Sequence, residues 1–228
     1  MRLLILGRGK TGRLVAEIAR ERGHSLHVLG HEENQDAAWL TPPSLASFDA
    51  IIDFTTPEAA VKNVRAALLA SAKIVVGTTG WYDKLDDMRA LAERRGGALL
   101  YGANFSFGVQ LLLKLAQVLG TDGAGFTFHI DETHHTAKLD APSGTALELQ
   151  RALHATPHGR SVTIESHRTA DAIGTHRLEL TSAEERLIVE HQALSRRTFA
   201  YGAVRGAEWL AGQTGCFNFQ DVFPEVLA

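Results

Sequence analysis

A short apolar run, Leu3-Leu4-Ile5-Leu6, breaks into Gly7-Arg8-Gly9-Lys10-Thr11-Gly12, after which Leu14, Val15, Ile18 and Ala19 recur at helical spacing. Strand, glycine-rich turn and helix in that order leave few choices of fold. Glycines there let the backbone approach a pyrophosphate, and the helix start offers unpaired N–H groups and a positive dipole end. On this reading Gly7, Arg8, Gly9, Lys10, Thr11 and Gly12 bind a dinucleotide. The competing reading is a structural turn, because G-x-G-x-x-G by itself is common. An acidic ligand for the adenosine ribose is due about 20 residues further on, at the end of the second strand. His31, Glu32 and Glu33 stand there. We select Glu32, against the plainer reading of a solvated charged turn. No arginine follows nearby to receive a 2′-phosphate, which leans slightly toward NADH over NADPH; Arg8 and Lys10 are the alternatives for that role.

The alternation continues. Leu26 to Leu29 reads as a second strand, Ala50-Ile51-Ile52-Asp53-Phe54 as a third, Ile74-Val75-Val76 as a fourth and Ala98-Leu99-Leu100-Tyr101 as a fifth. Thr56 and Pro57 suit the cap and first turn of a helix that carries Ala60, Val61, Val64 and Leu68. Leu85, Met88, Leu91 and Ala92 mark another. Strands alternating with helices through short loops imply a Rossmann-type α/β domain with a parallel sheet covered on both faces.

Beyond a helix carrying Val109, Leu112, Leu113 and Ala116, the period changes from helical to alternating. Phe126, Phe128 and Ile130, then Val162 and Ile164, Leu178 and Leu180, and Leu187 and Val189 alternate with polar residues. This predicts a second α+β domain with an open, antiparallel or mixed sheet buried on one face. A final helix, about Thr198 to Leu210, ends at Gly212. The expected division is residues 1–105 with 197–228 for the dinucleotide domain, and 106–196 for substrate binding and oligomerisation.

The densest polar segment is Asp131-Glu132-Thr133-His134-His135-Thr136-Ala137-Lys138-Leu139-Asp140-Ala141-Pro142-Ser143-Gly144-Thr145-Ala146. Two histidines titrate near neutrality, and Lys138 supplies an ammonium that pairs with carboxylates or donates a proton. Ser143, Gly144 and Thr145 precede a helical stretch, so their N–H groups suit an anion. These pieces fit a small acidic substrate with a proton donor beside it. Ser-Gly-Thr is also an ordinary helix cap, and a His-His pair can ligate metal; no nearby cysteine or carboxylate spacing completes such a site, and no metal is expected. Trp39, Trp81 and Trp209 are read as packing residues, and His24, His27, His154 and His158 as solvated surface groups.

The segment from His134 to Ala146 resembles the signature of dihydrodipicolinate (4-hydroxy-tetrahydrodipicolinate) reductases. Asp53-Phe54-Thr55 with Pro57, Gly77-Thr78-Thr79-Gly80, Ala103-Asn104-Phe105-Ser106, and Ser195-Arg196 with Phe199-Ala200-x-Gly202-Ala203 agree in order and spacing. The resemblance implies hydride transfer from NADH or NADPH to the ring of a cyclic dicarboxylic imine, in lysine and diaminopimelate synthesis. It implies His134 as the acid–base residue and Lys138 as proton donor or activator. His135, Lys138, Ser143, Gly144 and Thr145 would hold the carboxylates of a small dicarboxylate substrate. Gly77, Thr78 and Thr79, with Gly102, Ala103, Asn104 and Phe105, would form the nicotinamide side. A homotetramer associating through its sheets is implied as well. The glycine loop is one residue shorter than the family's frequent form, and the stretches 30–49 and 155–173 are compact.

Composition limits the rest. The chain has 228 residues, a formal net charge of −3 and one cysteine, Cys216. A single cysteine rules out an internal disulfide framework and fits a reducing cytoplasm. No basic run interleaved with aromatics suggests nucleic acid, and no apolar stretch of about 18 residues suggests a membrane span. Two competing functions remain: a dehydrogenase for aspartate or homoserine, and a protein that senses NAD(H) without turnover. The His134–Thr145 segment argues against the first, and the paired acid–base groups His134 and Lys138 against the second.

Overall fold

The computed structural model describes residues 1–123, 125–154 and 161–228; His158 lies outside them. The chain divides into two compact units, Met1–Ser106 with Arg197–Ala228, and Phe107–Arg196.

The first unit begins with β1 (Arg2–Leu6), α1 (Lys10–Glu21), β2 (Ser25–Leu29), α2 (Pro42–Leu45), β3 (Ala50–Asp53), α3 (Pro57–Leu69), β4 (Lys73–Val76), α4 (Leu85–Arg95) and β5 (Ala98–Tyr101). Every residue of β3 is buried, as is Leu3 to Leu6 of β1, which is why these strands read as unbroken apolar runs rather than alternating ones. The start of α3 follows from Thr56, whose Oγ1 accepts a bond from the Ala59 N–H at 3.4 Å, and from Pro57, which needs no N–H partner in the first turn.

The second unit comprises α5 (Phe107–Asp122), β6 (Thr127–His134), α6 (Gly144–His154), β7 (Val162–Arg168), β8 (Thr175–Thr181) and β9 (Arg186–Gln192). Its four-stranded sheet runs in the order β7-β6-β8-β9; β6 and β7 are parallel and the other pairs antiparallel, so the sheet is mixed. Leu112 and Leu113 of α5 and Leu149 and Leu153 of α6 bury one face of it against Phe128, Ile130, Leu178 and Leu180. Burial of each such side chain contributes about 1.5–3 kcal/mol. The alternation expected for β9 fails at its start. Leu187 is 44% exposed, because β9 is an edge strand.

The chain returns to the first unit with α7 (Arg197–Leu210), β10 (Gly215–Asn218) and α8 (Phe219–Leu227). The first unit's six-stranded sheet is parallel, in the order β10-β5-β4-β3-β1-β2. Neither β10 nor α8 is legible in the sequence reading, which closes its last helix at Gly212. The strand is four residues long, and α8 carries Pro224 in its interior, which by propensity breaks a helix. His24 also departs from expectation: its side chain is 9% exposed and pairs with Glu208 at 2.7 Å. Trp81 is buried, as a packing residue should be. Among the described residues no helix is long and apolar enough to cross a membrane.

Candidate active site

In the first unit, the carboxyl ends of the central parallel strands open onto a cleft of about 510 Å³. Gly9, Lys10 and Thr11 line it from the glycine turn, Phe54, Thr55 and Pro57 from the turn after β3, and Gly77, Thr78 and Thr79 from the turn after β4. The three glycines of the motif do different things. Gly7 has φ +106°, and a Cβ there would meet the Phe54 carbonyl oxygen at 2.3 Å; a Cβ on Gly12 would meet the Gly7 carbonyl oxygen at 2.1 Å. Both are required by the chain itself. At Gly9 a Cβ would meet nothing within 4 Å, and its φ of −69° suits any residue. What glycine supplies there is open space at the start of α1, which is the space a pyrophosphate needs.

A buried carboxylate holds two of these turns together. Asp53 Oδ1 accepts from the Thr55 N–H at 2.9 Å, the Thr55 hydroxyl at 2.6 Å and the Thr78 hydroxyl at 3.3 Å, while Oδ2 accepts from Asn63 Nδ2 at 2.7 Å. Burial pushes the Asp53 carboxyl up, opposed by these donors. Asn34 Nδ2 donates in turn to Asn63 Oδ1 at 2.9 Å, which extends the network to the loop after β2. On that loop Glu32 is exposed. Its neighbour Glu33 makes the specific contacts, accepting from the Gly30 N–H at 2.8 Å and pairing with Arg8 at 2.5 Å. Arg8 also lines, with Gly7, Gly12, Arg13 and Arg20, a smaller cleft of about 290 Å³. At the far end of β5, Phe105 is buried and packs on Phe219 with ring centroids 4.5 Å apart, while Asn104 Oδ1 accepts from the Ser106 N–H at 2.9 Å. Gly102, Ala103, Asn104 and Phe105 do not line the 510 Å³ cleft.

In the second unit the chemistry gathers at the end of β6. Strand alternation sends Glu132 and His134 to the same side, and both are buried. Glu132 Oε2 hydrogen-bonds His134 Nδ1 at a short distance. Its Oε1 accepts from Arg168 Nη2, at the end of β7, at 2.9 Å and from the Ser143 N–H at 3.3 Å. A carboxylate removed from water costs several kcal/mol unless it is paired; Glu132 is paired on both oxygens. Burial pushes its carboxyl up, but hydrogen bonds from Ser166 and Arg168 and the neighbouring His134 outweigh that and hold it below the usual carboxylate range. Burial lowers His134, and Glu132 opposes the shift without cancelling it.

His176 of β8 lies beside His134, ring centroids 5.1 Å apart, and its Nε2 sits 3.3 Å from the Ser143 hydroxyl. Burial, with His134 and His191 nearby, pushes His176 down to about 3. Ser143 Oγ accepts from the Ala146 N–H at 3.3 Å and so caps α6, and the Gly144 N–H at the helix start donates to the Asp140 carboxylate. Lys138, on the loop between β6 and α6, is held by Asp140 through both carboxylate oxygens at 2.8 Å. Burial pushes Asp140 up, and the Lys138 ammonium outweighs it to hold the carboxyl low. Donor atoms of Glu132, His134 and His176 lie within 4.8 Å of one another. Within this group His134 Nδ1 is bonded to Glu132, and His176 Nε2 sits beside the Ser143 hydroxyl.

The family is decided by comparison with known proteins. Family models for the dihydrodipicolinate reductase N-terminus and C-terminus match residues 1–105 and 108–223. The chain belongs to the dihydrodipicolinate reductase family. It is 32% identical to a 4-hydroxy-tetrahydrodipicolinate reductase of Christiangramia forsetii over 99% of both chains. With that of Natronomonas pharaonis it shares 35% identity over 97% of this chain and 99% of the relative. A dipicolinate-bound dihydrodipicolinate reductase from a Paenisporosarcina species superimposes with a TM-score of 0.78 at 22% identity, over 97% of this chain and 99% of that one. The fold is therefore that of a family reductase, an oxidoreductase with a Rossmann-type unit and a mixed-sheet unit. Sequence reading placed His134, Lys138 and Ser143 but passed over Glu132, Arg168 and His176. The one available signal was the x-Glu-x-His alternation on a strand, which puts a carboxylate and an imidazole on one face.

Proposed function

We propose that this chain catalyses the NADH- or NADPH-dependent reduction of 4-hydroxy-tetrahydrodipicolinate to tetrahydrodipicolinate, in lysine and diaminopimelate biosynthesis. The observation that carries the reading is the acid–base constellation of the second unit, His134 backed by Glu132 with Lys138 and the start of α6 on the same segment, in a member of this reductase family. A nicotinamide bound to the first unit would supply the hydride. The residues for it are the glycine turn, Gly7 to Gly12, and Gly77, Thr78 and Thr79, with Gly102 to Phe105 proposed for the nicotinamide side. The open space at Gly9 fits a bound phosphate group.

The second unit deals with the negative charge. A dicarboxylate needs cations and hydrogen-bond donors around it, and His135, Lys138, Ser143, Gly144 and Thr145, on one loop and one helix start, are the residues we propose to hold it. Hydride addition leaves charge on the substrate that a nearby acid must neutralise. Lys138 has three donor hydrogens, and its two contacts with Asp140 orient the ammonium for that role. His134 is the acid–base group beside it.

For the cofactor, Glu32 was the residue selected for the adenosine ribose; the bonds made by Glu33 favour that neighbour. A carboxylate there repels a 2′-phosphate while Arg8 attracts one, so we expect both cofactors to serve with NADH slightly favoured. We further propose a cytoplasmic homotetramer, associating through the second unit's sheet; the exposed Leu187 and Ile188 of edge strand β9 support this.

The test is a coupled assay. Pyruvate and aspartate semialdehyde are condensed enzymatically, and loss of NADH or NADPH absorbance is followed after the protein is added. Turnover dependent on the condensed product is expected, and Glu33→Ala should shift the rate ratio toward NADPH. No turnover with either cofactor, from folded protein that binds one of them, would overturn the reading.

A further inference from the structure

A fully buried carboxylate bonded to one nitrogen of an imidazole fixes which nitrogen is left to react. Glu132 is 0% exposed, and its Oε2 takes Nδ1 of His134. Its other oxygen cannot turn away, because the Arg168 guanidinium and the Ser143 N–H both donate to it. With no proton of its own, the carboxylate requires His134 to carry its hydrogen on Nδ1, which leaves a lone pair on Nε2. The groups facing this imidazole are Glu132 on its own strand, Arg168 from β7, Lys138 from the following loop and His176 from β8.

The surroundings of Nε2 are defined from another strand. Gly174 immediately precedes β8, and a Cβ there would lie 3.2 Å from His134 Nε2 and 3.3 Å from its Cδ2. Gly174 does not have a left-handed φ, so its backbone conformation does not demand glycine. Its carbonyl oxygen accepts from the Ala193 N–H at 2.9 Å, which ties the glycine to the segment after β9. Anchored backbone that comes close to Nε2 with no side chain is what keeps the nitrogen from being crowded.

We propose that Glu132 and Gly174 together make Nε2 the working nitrogen of His134, Glu132 by holding the ring proton on Nδ1 and Gly174 by leaving room beside Nε2. This rests on the reading of His134 as the acid–base group. Both are positioning residues, neither of which need touch the substrate. The lone pair on Nε2 accepts a proton and returns it, and the imidazolium formed in between stays paired with the Glu132 carboxylate. In the resting enzyme Lys138, not His134, is then the group with a proton to give. The lowered titration of His134 agrees, since it keeps the ring neutral near pH 7.

Glu132→Gln is the decisive variant. Arg168 and Ser143 both require an acceptor, so the amide oxygen must face them and the NH₂ must face Nδ1. That nitrogen then has to accept, and the ring proton moves to Nε2. Imidazole ¹⁵N–¹H NMR of the full-length protein should show His134 protonated at Nδ1 in the wild type and at Nε2 in E132Q. With the proton on the wrong nitrogen, kcat should fall by about 10²–10³-fold. Gly174→Ala should leave the proton on Nδ1 and cofactor KM unchanged, yet lower kcat about tenfold by displacing the ring. If E132Q does not fold, the wild-type tautomer and G174A still decide. A wild-type ring protonated at Nε2, or G174A with full activity, would overturn the proposal even where His134→Gln is inactive. A fully active H134Q would instead overturn the role of His134 on which it rests.

Discussion

The two units prepare for charge in opposite ways. The first handles it with backbone: its cleft is built from turns at strand ends, and at Gly9 a residue without a side chain borders open space. Its one fully buried acid, Asp53, ties Thr55 and Thr78 of the cleft wall together. The second unit handles charge with side chains. Glu132, His134, Arg168 and His176 come from three strands; Glu132, His134 and His176 are buried, and the half-buried Arg168 pairs with Glu132. A backbone cradle is tolerant of sequence except where a Cβ would intrude. A buried side-chain network is sensitive to every proton it holds.

The sharpest way to break this contrast is to remove the groups in the second unit that we propose to act on substrate. His134→Gln should lower kcat by about 10²–10⁴-fold with cofactor affinity nearly unchanged; Lys138→Ala should lower kcat and raise KM together, since one ammonium serves binding and proton supply. Unchanged kcat in the first, or a change in stability alone in the second, would return these residues to a structural role.

Smaller effects are expected in the first unit, and they should separate two kinds of glycine. Gly9→Val should weaken cofactor binding roughly 10–100-fold, about 1.4–2.8 kcal/mol, without lowering Tm. Gly12→Val should lower Tm, because its Cβ lies 2.1 Å from the Gly7 carbonyl oxygen. Calorimetry and cofactor titration on both variants check this, and equal losses of Tm would erase the distinction.

The last effect concerns pH. His176 titrates near 3 in the folded state, below the ordinary histidine value of about 6.5. A histidine held neutral contributes stability that is fully present above its unfolded pKa and is lost as pH falls toward the folded one. Between about pH 6.5 and 3 the second unit should therefore lose up to ~1.4 kcal/mol per pH unit for this one proton. Hydrogen exchange in β6 and β8 should accelerate over that range, and His176→Phe should flatten the dependence. An unaltered slope in that variant would assign the acid sensitivity to other groups.

Much of the first unit is legible in the chain because its signals are local. Leu3 to Leu6, the glycine turn, and Thr56 with Pro57 lie within a few residues of what they specify. The same locality reveals His134, Lys138 and Ser143 as one segment. Which of Glu32 and Glu33 folds back on Gly30 and Arg8 could not be picked out, since adjacent acids on a loop look alike along the chain. The strand β10 and helix α8 were missed because Pro224 argues against a helix locally, while Phe219 and Phe223 favour it by their burial.

By itself the sequence determined the alternation of elements, the change of period near residue 126 and the identity of the polar segment, because these depend on spacing along one chain. Only the tertiary structure decided that Arg168 and Ser143 meet on Glu132, that His176 lies beside His134, and that Gly174 borders its free nitrogen. Those contacts join residues far apart in sequence through strand register. Register is selected by which faces are buried in the finished sheet, so spacing along the chain does not report it.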